Sequence, residues 1–453
     1  MSASFILVGS VFIFFCALSV QAFERVDPRR LCLLDGVLVG TVYFAAIPLS
    51  LMIFVGDFYD NDILGGPYRP TEDLHTTLMA FLGWATVLVA HRSTKRPIKA
   101  TLIGAISPTD FTVRRHNAVV STVVLIAFLE FLSVYFFVSA GKYEAGAHWM
   151  EKNAQFMAQS TFAIFATNLS NALRFAIFGF LIFNDVNGFT RKRTTVTLGL
   201  LLSLVDITLT FNRITFVIYL ITIIIVFRQR IYAVLAAYLV AIPILATISS
   251  GWTAFRSKAL SQGLSLKGAE DAILFAASYV QSNGGDVFHR VCGVFETANF
   301  QVLNAIVNNT PDRIDVLYGY TLIRPFVFWI PSTLWQGKPP VFSTLMGKAI
   351  NGIEGLSLAA TLFGEVYVNA FIFWPIVLFA LLIGANWIFL ILNRFIPAAG
   401  SIGFFVGFML WRFDMSFVTI SAFAISVFSI STSPIRAVMS ETLRRAYPHK
   451  YHS

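Results

Sequence analysis

VNAFIFWPIVLFALLIGANWIFLILN, residues 368–393, contains no Asp, Glu, Lys or Arg, and Arg394 follows it at once. At 1.5 Å per residue, a helix of that length crosses the ~30 Å hydrocarbon core of a bilayer. The apolar character is continuous rather than alternating, so the stretch reads as a membrane-spanning helix and not as a barrel strand. Comparable stretches recur at about 3–23, 31–56, 74–91, 118–140, 156–184, 195–211, 213–227, 231–250, 399–411 and 415–433. The expected fold is an all-α polytopic membrane protein of about eleven transmembrane helices. It forms one membrane domain over residues 1–453, with residues 251–367 as a large loop of short helices between the eighth and ninth spans.

Composition supports this. The 453 residues are 57% hydrophobic and 13% charged, against roughly 25% charged in soluble domains. Such a chain cannot cover itself with polar surface. The net charge of +9 points superficially to nucleic acid, but the placement of the charges gives a better reason. One set of alternate loops holds Arg25, Arg29, Arg30; Arg92, Lys95, Arg96, Lys99, Arg114, Arg115; Arg191, Lys192, Arg193; Arg228, Arg230; Arg394; and a tail with Arg436, Arg444, Arg445 and Lys450. The opposite short loops hold only Arg69, Lys142, Lys152, Arg213 and Arg412. The positive-inside rule makes the first set cytoplasmic, which puts the N-terminus in the periplasm, the C-terminus in the cytoplasm and the large loop outside. The first stretch ends near Ser19-Val20-Gln21-Ala22, a signal-peptidase-like site. No Lys or Arg precedes it, so it reads as a retained span.

The large loop is not a hydrophilic linker. Residues 269–282 and 288–307 are amphipathic, and residues 321–334 are strongly apolar with breaks at Pro325 and Pro331. Trp329 and Trp335 are of the type that favours the membrane interface. The expectation is a set of short helices lying on or dipping into the outer leaflet, interrupted at Pro, Gly and Asn.

Several charges are placed to do chemistry. Arg213, in the short outer turn after Asn212, is suited either to snorkelling toward lipid phosphate or to binding an anionic substrate. Arg256, Arg290 and Arg324 recur along the outer loop, and a guanidinium's planar fork matches phosphate oxygens; each alone also reads as an ordinary surface or salt-bridge residue. Glu365, at the mouth of a span, is a candidate general base or the partner of one of these arginines. His289, beside Arg290, is a second candidate base and reads equally as a structural hydrogen-bonder. Arg174 and Asp206 fall inside spans and are expected to pair across helices, with a proton path as the other reading of Asp206, while Arg412 and Asp414 read as a local ion pair at an outer turn. The chain lacks a Walker loop, Rossmann glycines and metal-ligand spacing, so no cofactor and no metal are expected.

Three pieces of sequence carry a family likeness: Tyr318-Gly319-Tyr320-Thr321, then Trp329-Ile330-Pro331-Ser332-Thr333-Leu334-Trp335-Gln336-Gly337-Lys338-Pro339, then Gly364-Glu365-Val366-Tyr367-Val368-Asn369. In order and spacing they resemble the Wzy-type oligosaccharide repeat-unit polymerases of O-antigen, exopolysaccharide and enterobacterial common antigen synthesis. Ser332 stands where the family often has Arg, and Ala370-Phe371 where it often has Phe-Gly. The resemblance implies a GT-C-like architecture in the bacterial inner membrane. It also implies a metal- and nucleotide-independent glycosyltransferase that moves a growing glycan from undecaprenyl diphosphate to the non-reducing end of another lipid-linked unit. On that reading Arg213, Arg256, Arg290, Arg324 and Lys338 bind diphosphate, and Glu365, Arg290 and His289 are catalytic. The implied partners are undecaprenyl-diphosphate-linked oligosaccharides, membrane lipid and a chain-length-regulating co-polymerase, with no nucleic acid. An O-antigen ligase shares the spans and the large loop; a lipid-linked oligosaccharide flippase is the rival without enzymatic chemistry. A flippase would place charges through the span interiors or show an internal repeat, and basic residues here gather outside.

Overall fold

A computed structural model describes residues 3–24, 26–54, 68–94, 122–132, 161–210, 213–262, 266–282, 297–330, 334–352, 356–358 and 361–427, with a few single positions between them. The chain is all-helical, with no strand among the described residues. Among the described residues, five helices are long and apolar enough to cross a membrane: Ser4–Glu24, Leu33–Phe54, Leu74–Ser93, Ala236–Ala259 and Thr361–Phe395. They become six if Ile214–Val226 and Arg228–Val234, bent by 83° against each other, count as one span.

In chain order we label α1 (Ala3–Glu24), α2 (Leu33–Phe54), α3 (Leu74–Ser93), α4 (Thr122–Leu132), α5 (Thr161–Val186), α6 (Lys192–Thr210), α7 (Ile214–Val226), α8 (Ile231–Gln262), α9 (Leu266–Ser282), α10 (Ala298–Asn309), α11 (Phe342–Asn351), α12 (Thr361–Ala370), α13 (Trp374–Phe395), α14 (Ala399–Met409) and α15 (Ser416–Val427). Helices thus coincide with the apolar stretches read from sequence, but several are short: α14 has 11 residues. Helix α6 begins on Lys192-Arg193 and holds Asp206, which lowers its hydropathy. Helix α8 continues through Gly251 to Gln262 instead of ending at 250, so Arg256 stands on a helix rather than in a loop.

The centre of the bundle is α14 against α2 and α5. Small residues allow this approach, as in helix pairs within lipid. A Cβ on Gly36 would overlap the Phe404 carbonyl, one on Gly407 the Leu33 carbonyl, and one on Gly179 the backbone of Ile402. Around these contacts Phe44, Phe178, Phe404, Phe405, Phe408 and Trp411 are fully buried. Trp411 Nε1 donates to Val37 O at 3.1 Å, fixing the end of α14 on α2.

Two buried polar clusters lock helices together. Arg174 Nη1 on α5 meets Asp206 Oδ1 on α6 at 3.0 Å, as the sequence suggested. Glu130 on α4 approaches Arg174 Nε at 3.7 Å, and Thr215 donates to Asp206 from α7. At the start of α2, Asp35 Oδ1 meets His91 Nε2 of α3 at 2.8 Å while Oδ2 accepts from Cys32 N at 3.0 Å. One carboxylate therefore caps α2 and clips it to α3.

Candidate functional site

Helix α12 carries the last of the three motif pieces, and everything in it from Thr361 to Asn369 is buried. It is held by α10, whose Phe300, Leu303 and Ile306 belong to the same core. Phe363 packs edge-on against Trp411 at 4.7 Å between ring centroids. It also fills the space that the absent side chain of Gly83 leaves on α3.

The first motif piece lies along the end of α12. Leu317 N donates to Val368 O at 2.9 Å and Gly319 N to Asn369 O at 3.1 Å. Asn369 then grips Thr321: its Oδ1 accepts from Thr321 N at 3.2 Å, and its Nδ2 donates to Thr321 Oγ1 at 2.7 Å and to Glu365 O at 2.8 Å. The backbone must turn sharply to make these bonds, and Gly319 takes φ +85° there, a conformation open to glycine without steric cost.

The middle piece folds back on the first. Tyr320 Oη donates to Gly337 O at 2.9 Å and Arg324 Nη1 to Pro339 O at 2.6 Å. Lys338 Nζ donates to Phe328 O at 2.9 Å and Ile330 O at 2.7 Å. The three pieces that look like one pattern in sequence are therefore one hydrogen-bonded unit. Pro331, Ser332 and Thr333 lie outside the described residues.

Glu365 is 2% exposed, and its Oε2 accepts from Met415 N at 3.1 Å, so it holds the turn between α14 and α15. That turn carries Arg412 and Asp414. Asp414 accepts from Ser416 N at 3.1 Å and also from the Ser416 hydroxyl. Arg324 stands within electrostatic reach of both Asp414 and Glu365. Burial lowers the Arg324 pKa below its ordinary value, and the two carboxylates oppose that shift. Lys338 is lowered as well, first by burial and then by the neighbouring Arg324.

A second basic group adjoins the first. Arg213 Nη1 donates to Ser249 Oγ on α8 at 2.7 Å. Arg256 lies two turns further along α8, near the same face. The positive charges of Arg213 and Arg412 act on it, and it has no ion-pair or hydrogen-bond partner among the described residues. Arg213 and Arg412 thus both act on Arg256, while Arg324 groups with Lys338, Glu365 and Asp414.

Of the residues singled out from sequence, Arg213 and Arg256 come together, and so do Arg324, Lys338 and Glu365. His289 and Arg290 lie outside the described residues. Sequence reasoning missed the site roles of Arg412 and Asp414, which looked like a local pair. A signal was present: Arg213 and Arg412 are the cations next to two short breaks between apolar stretches.

No family model matches the chain, and no match was found among curated proteins or solved structures.

Proposed function

We propose that this chain is a membrane-embedded oligosaccharide repeat-unit polymerase working at the periplasmic face of the bacterial inner membrane. On this reading it has about eleven spans, a GT-C-like arrangement, a periplasmic N-terminus and a cytoplasmic C-terminus. The observation that carries the proposal is the closure of the three motif pieces onto one another, with Arg324 and Lys338 near Glu365 and Asp414.

The chemistry follows from the charges. In the donor, the bond between the anomeric carbon of the growing glycan and the lipid diphosphate oxygen breaks. A hydroxyl of the incoming unit attacks that carbon, forms the new glycosidic bond and loses its proton to a carboxylate. Undecaprenyl diphosphate leaves with the bonding electrons. Cations placed where that charge develops lower the barrier. Arg213, Arg256 and Arg412 hold one diphosphate, and Arg324 serves the second near the carboxylates. Lys338 has two of its three N–H donors engaged on carbonyls, so it contributes charge and loop order. Glu365 keeps the catalytic role that the family likeness implies and also holds the turn through Met415 N, while Asp414, less buried, is a second carboxylate open to the acceptor hydroxyl. Arg290 and His289 keep the roles that the family likeness implies.

The reading is tested by deleting the chain from its own cells and analysing the surface glycan. Single repeat units with no long polymer are expected. Loss of all glycan from the outer side of the membrane would indicate a flippase instead, and normal polymer would reject both readings.

A further inference from the structure

The loop between Tyr318 and Pro339 has an unusual surface for a segment outside the spans. Tyr318, Phe326, Trp329 and Leu334 are all strongly exposed, Leu334 at 79% and Phe326 at 71%, and Ile323 is about half exposed. The sequence from 318 to 337 contains a single charge, Arg324, and that charge turns inward to Pro339 O and toward Glu365 and Asp414.

The loop is also closed on itself. Tyr320 bonds Gly337 and Arg324 bonds Pro339 across its neck. The Phe328 and Ile330 carbonyls are taken by Lys338, and the Trp329 indole N–H is taken by Phe326 O at 2.9 Å. A segment that ties its neck with internal hydrogen bonds and turns its apolar side chains outward suits an apolar solvent.

The place of the loop says which solvent. Its first stretch of backbone is bonded to Val368 and Asn369, directly before Ile372, Phe373 and Ile376 at the start of α13. Those three are about 70% exposed and begin a helix long and apolar enough to span a bilayer. The apolar face of the loop is thus continuous with the lipid-facing flank of a span.

We infer that residues 318–330 and 334–339 belong to a stapled lipid-docking segment that seats Phe326, Trp329 and Leu334 in the adjoining leaflet of the bilayer. This inference does not depend on the enzymatic reading and holds whatever reaction the chain performs. It commits to lipid; a second protein on this face is an alternative outcome of the test.

The full chain is reconstituted in phosphatidylethanolamine–phosphatidylglycerol vesicles. Its three cysteines are replaced by serine, and a nitroxide is attached at Phe326→Cys, Trp329→Cys, Ile376→Cys or Asp312→Cys in turn. Collision with oxygen and with a water-soluble nickel chelate is then measured. Positions 326 and 329 are expected to favour oxygen over nickel by more than tenfold, like 376, while exposed Asp312 shows the reverse. Nickel-dominated collisions at 326 and 329 would overturn the inference, and so would shielding from both reagents, which signals cover by protein. A measurement on the unaltered chain removes dependence on the variants. Carbenes generated on lipid acyl chains should label the peptide containing Phe326 and Trp329 as they label α13; labelling of α13 alone would overturn the inference.

Discussion

Asn369 and Thr321 hold each other through both backbone and side chain, with Asn369 Oδ1 3.2 Å from Thr321 N and Asn369 Nδ2 2.7 Å from Thr321 Oγ1. The two residues come from motif pieces more than forty positions apart in sequence. Their contact joins the loop that carries Arg324 to the helix that carries Glu365. Replacing Asn369 with Ala leaves buried donors and acceptors without partners, at a cost of about 1–3 kcal/mol for each such group. The expected result is a clear loss of thermal stability in detergent. Thr321→Val should cost less, and the double variant should fall short of the sum of the two, because neighbours in one network do not add.

Glu365 to Gln separates charge from structure. The amide oxygen still accepts from Met415 N, so the turn between α14 and α15 should keep its place and the melting temperature should change little. Polymer formation should nevertheless drop by about a hundredfold or more, the scale of a lost general base or of its alignment. Asp414→Asn should behave in the same way. A chain-length profile of the glycan, measured beside thermal unfolding, separates a chemical role from a structural one.

The guanidinium cluster predicts an opposite pattern. Arg213 and Arg412 both oppose the positive charge on Arg256, so Arg256→Gln should leave stability unchanged or raise it. The same substitution should shorten or abolish polymer, as should Arg213→Ala and Arg412→Ala. Normal polymer lengths from all three would remove the diphosphate assignment.

The buried ion pair between α5 and α6 should be intolerant of half-removal. Arg174→Met leaves Asp206 and Glu130 buried beside each other, and breaking a buried pair in this way typically costs about 3–5 kcal/mol. Arg174→Met combined with Asp206→Leu should recover part of that loss. Unfolding in detergent, followed by the four single and double combinations, checks it.

Gly36 and Gly407 are predicted to reject even one methyl group. In each case the added Cβ would meet a backbone carbonyl of the facing helix, and overpacking of a close contact costs about 1–3 kcal/mol. Gly384 on α13 has open space around its Cα, so Gly384→Ala serves as the tolerated control.

The positions of the helices are legible in the amino-acid sequence, because apolar length is the quantity a bilayer selects and the continuous apolar stretches display it. The motif pieces predict which parts of the loop belong together, although not that Asn369 is the residue joining them. The number of spans is less legible. Helices such as Ala399–Met409 are too short to be judged by length, and α6 carries Lys192, Arg193 and Asp206, which dilute its apolar signal. Glycine pairs such as Gly36 and Gly407 are invisible without the partner helix. Asp35 and His91 look like unrelated residues at two helix ends. Arg412 and Asp414, two positions apart, invite a local pairing. The fold also brings the Arg412 charge to bear on Arg256, and the Asp414 charge on Arg324. Long-range convergence of charge is set by helix packing, which local sequence does not encode.

The central claim is tested most directly by incubating the purified, reconstituted chain with undecaprenyl-diphosphate-linked repeat units isolated from its own cells and resolving the products by size. A ladder of lengthening glycans is predicted from the unaltered chain, with none from a folded Glu365→Gln variant. Absence of a ladder from the folded unaltered chain, or an undiminished ladder from that variant, would contradict the account.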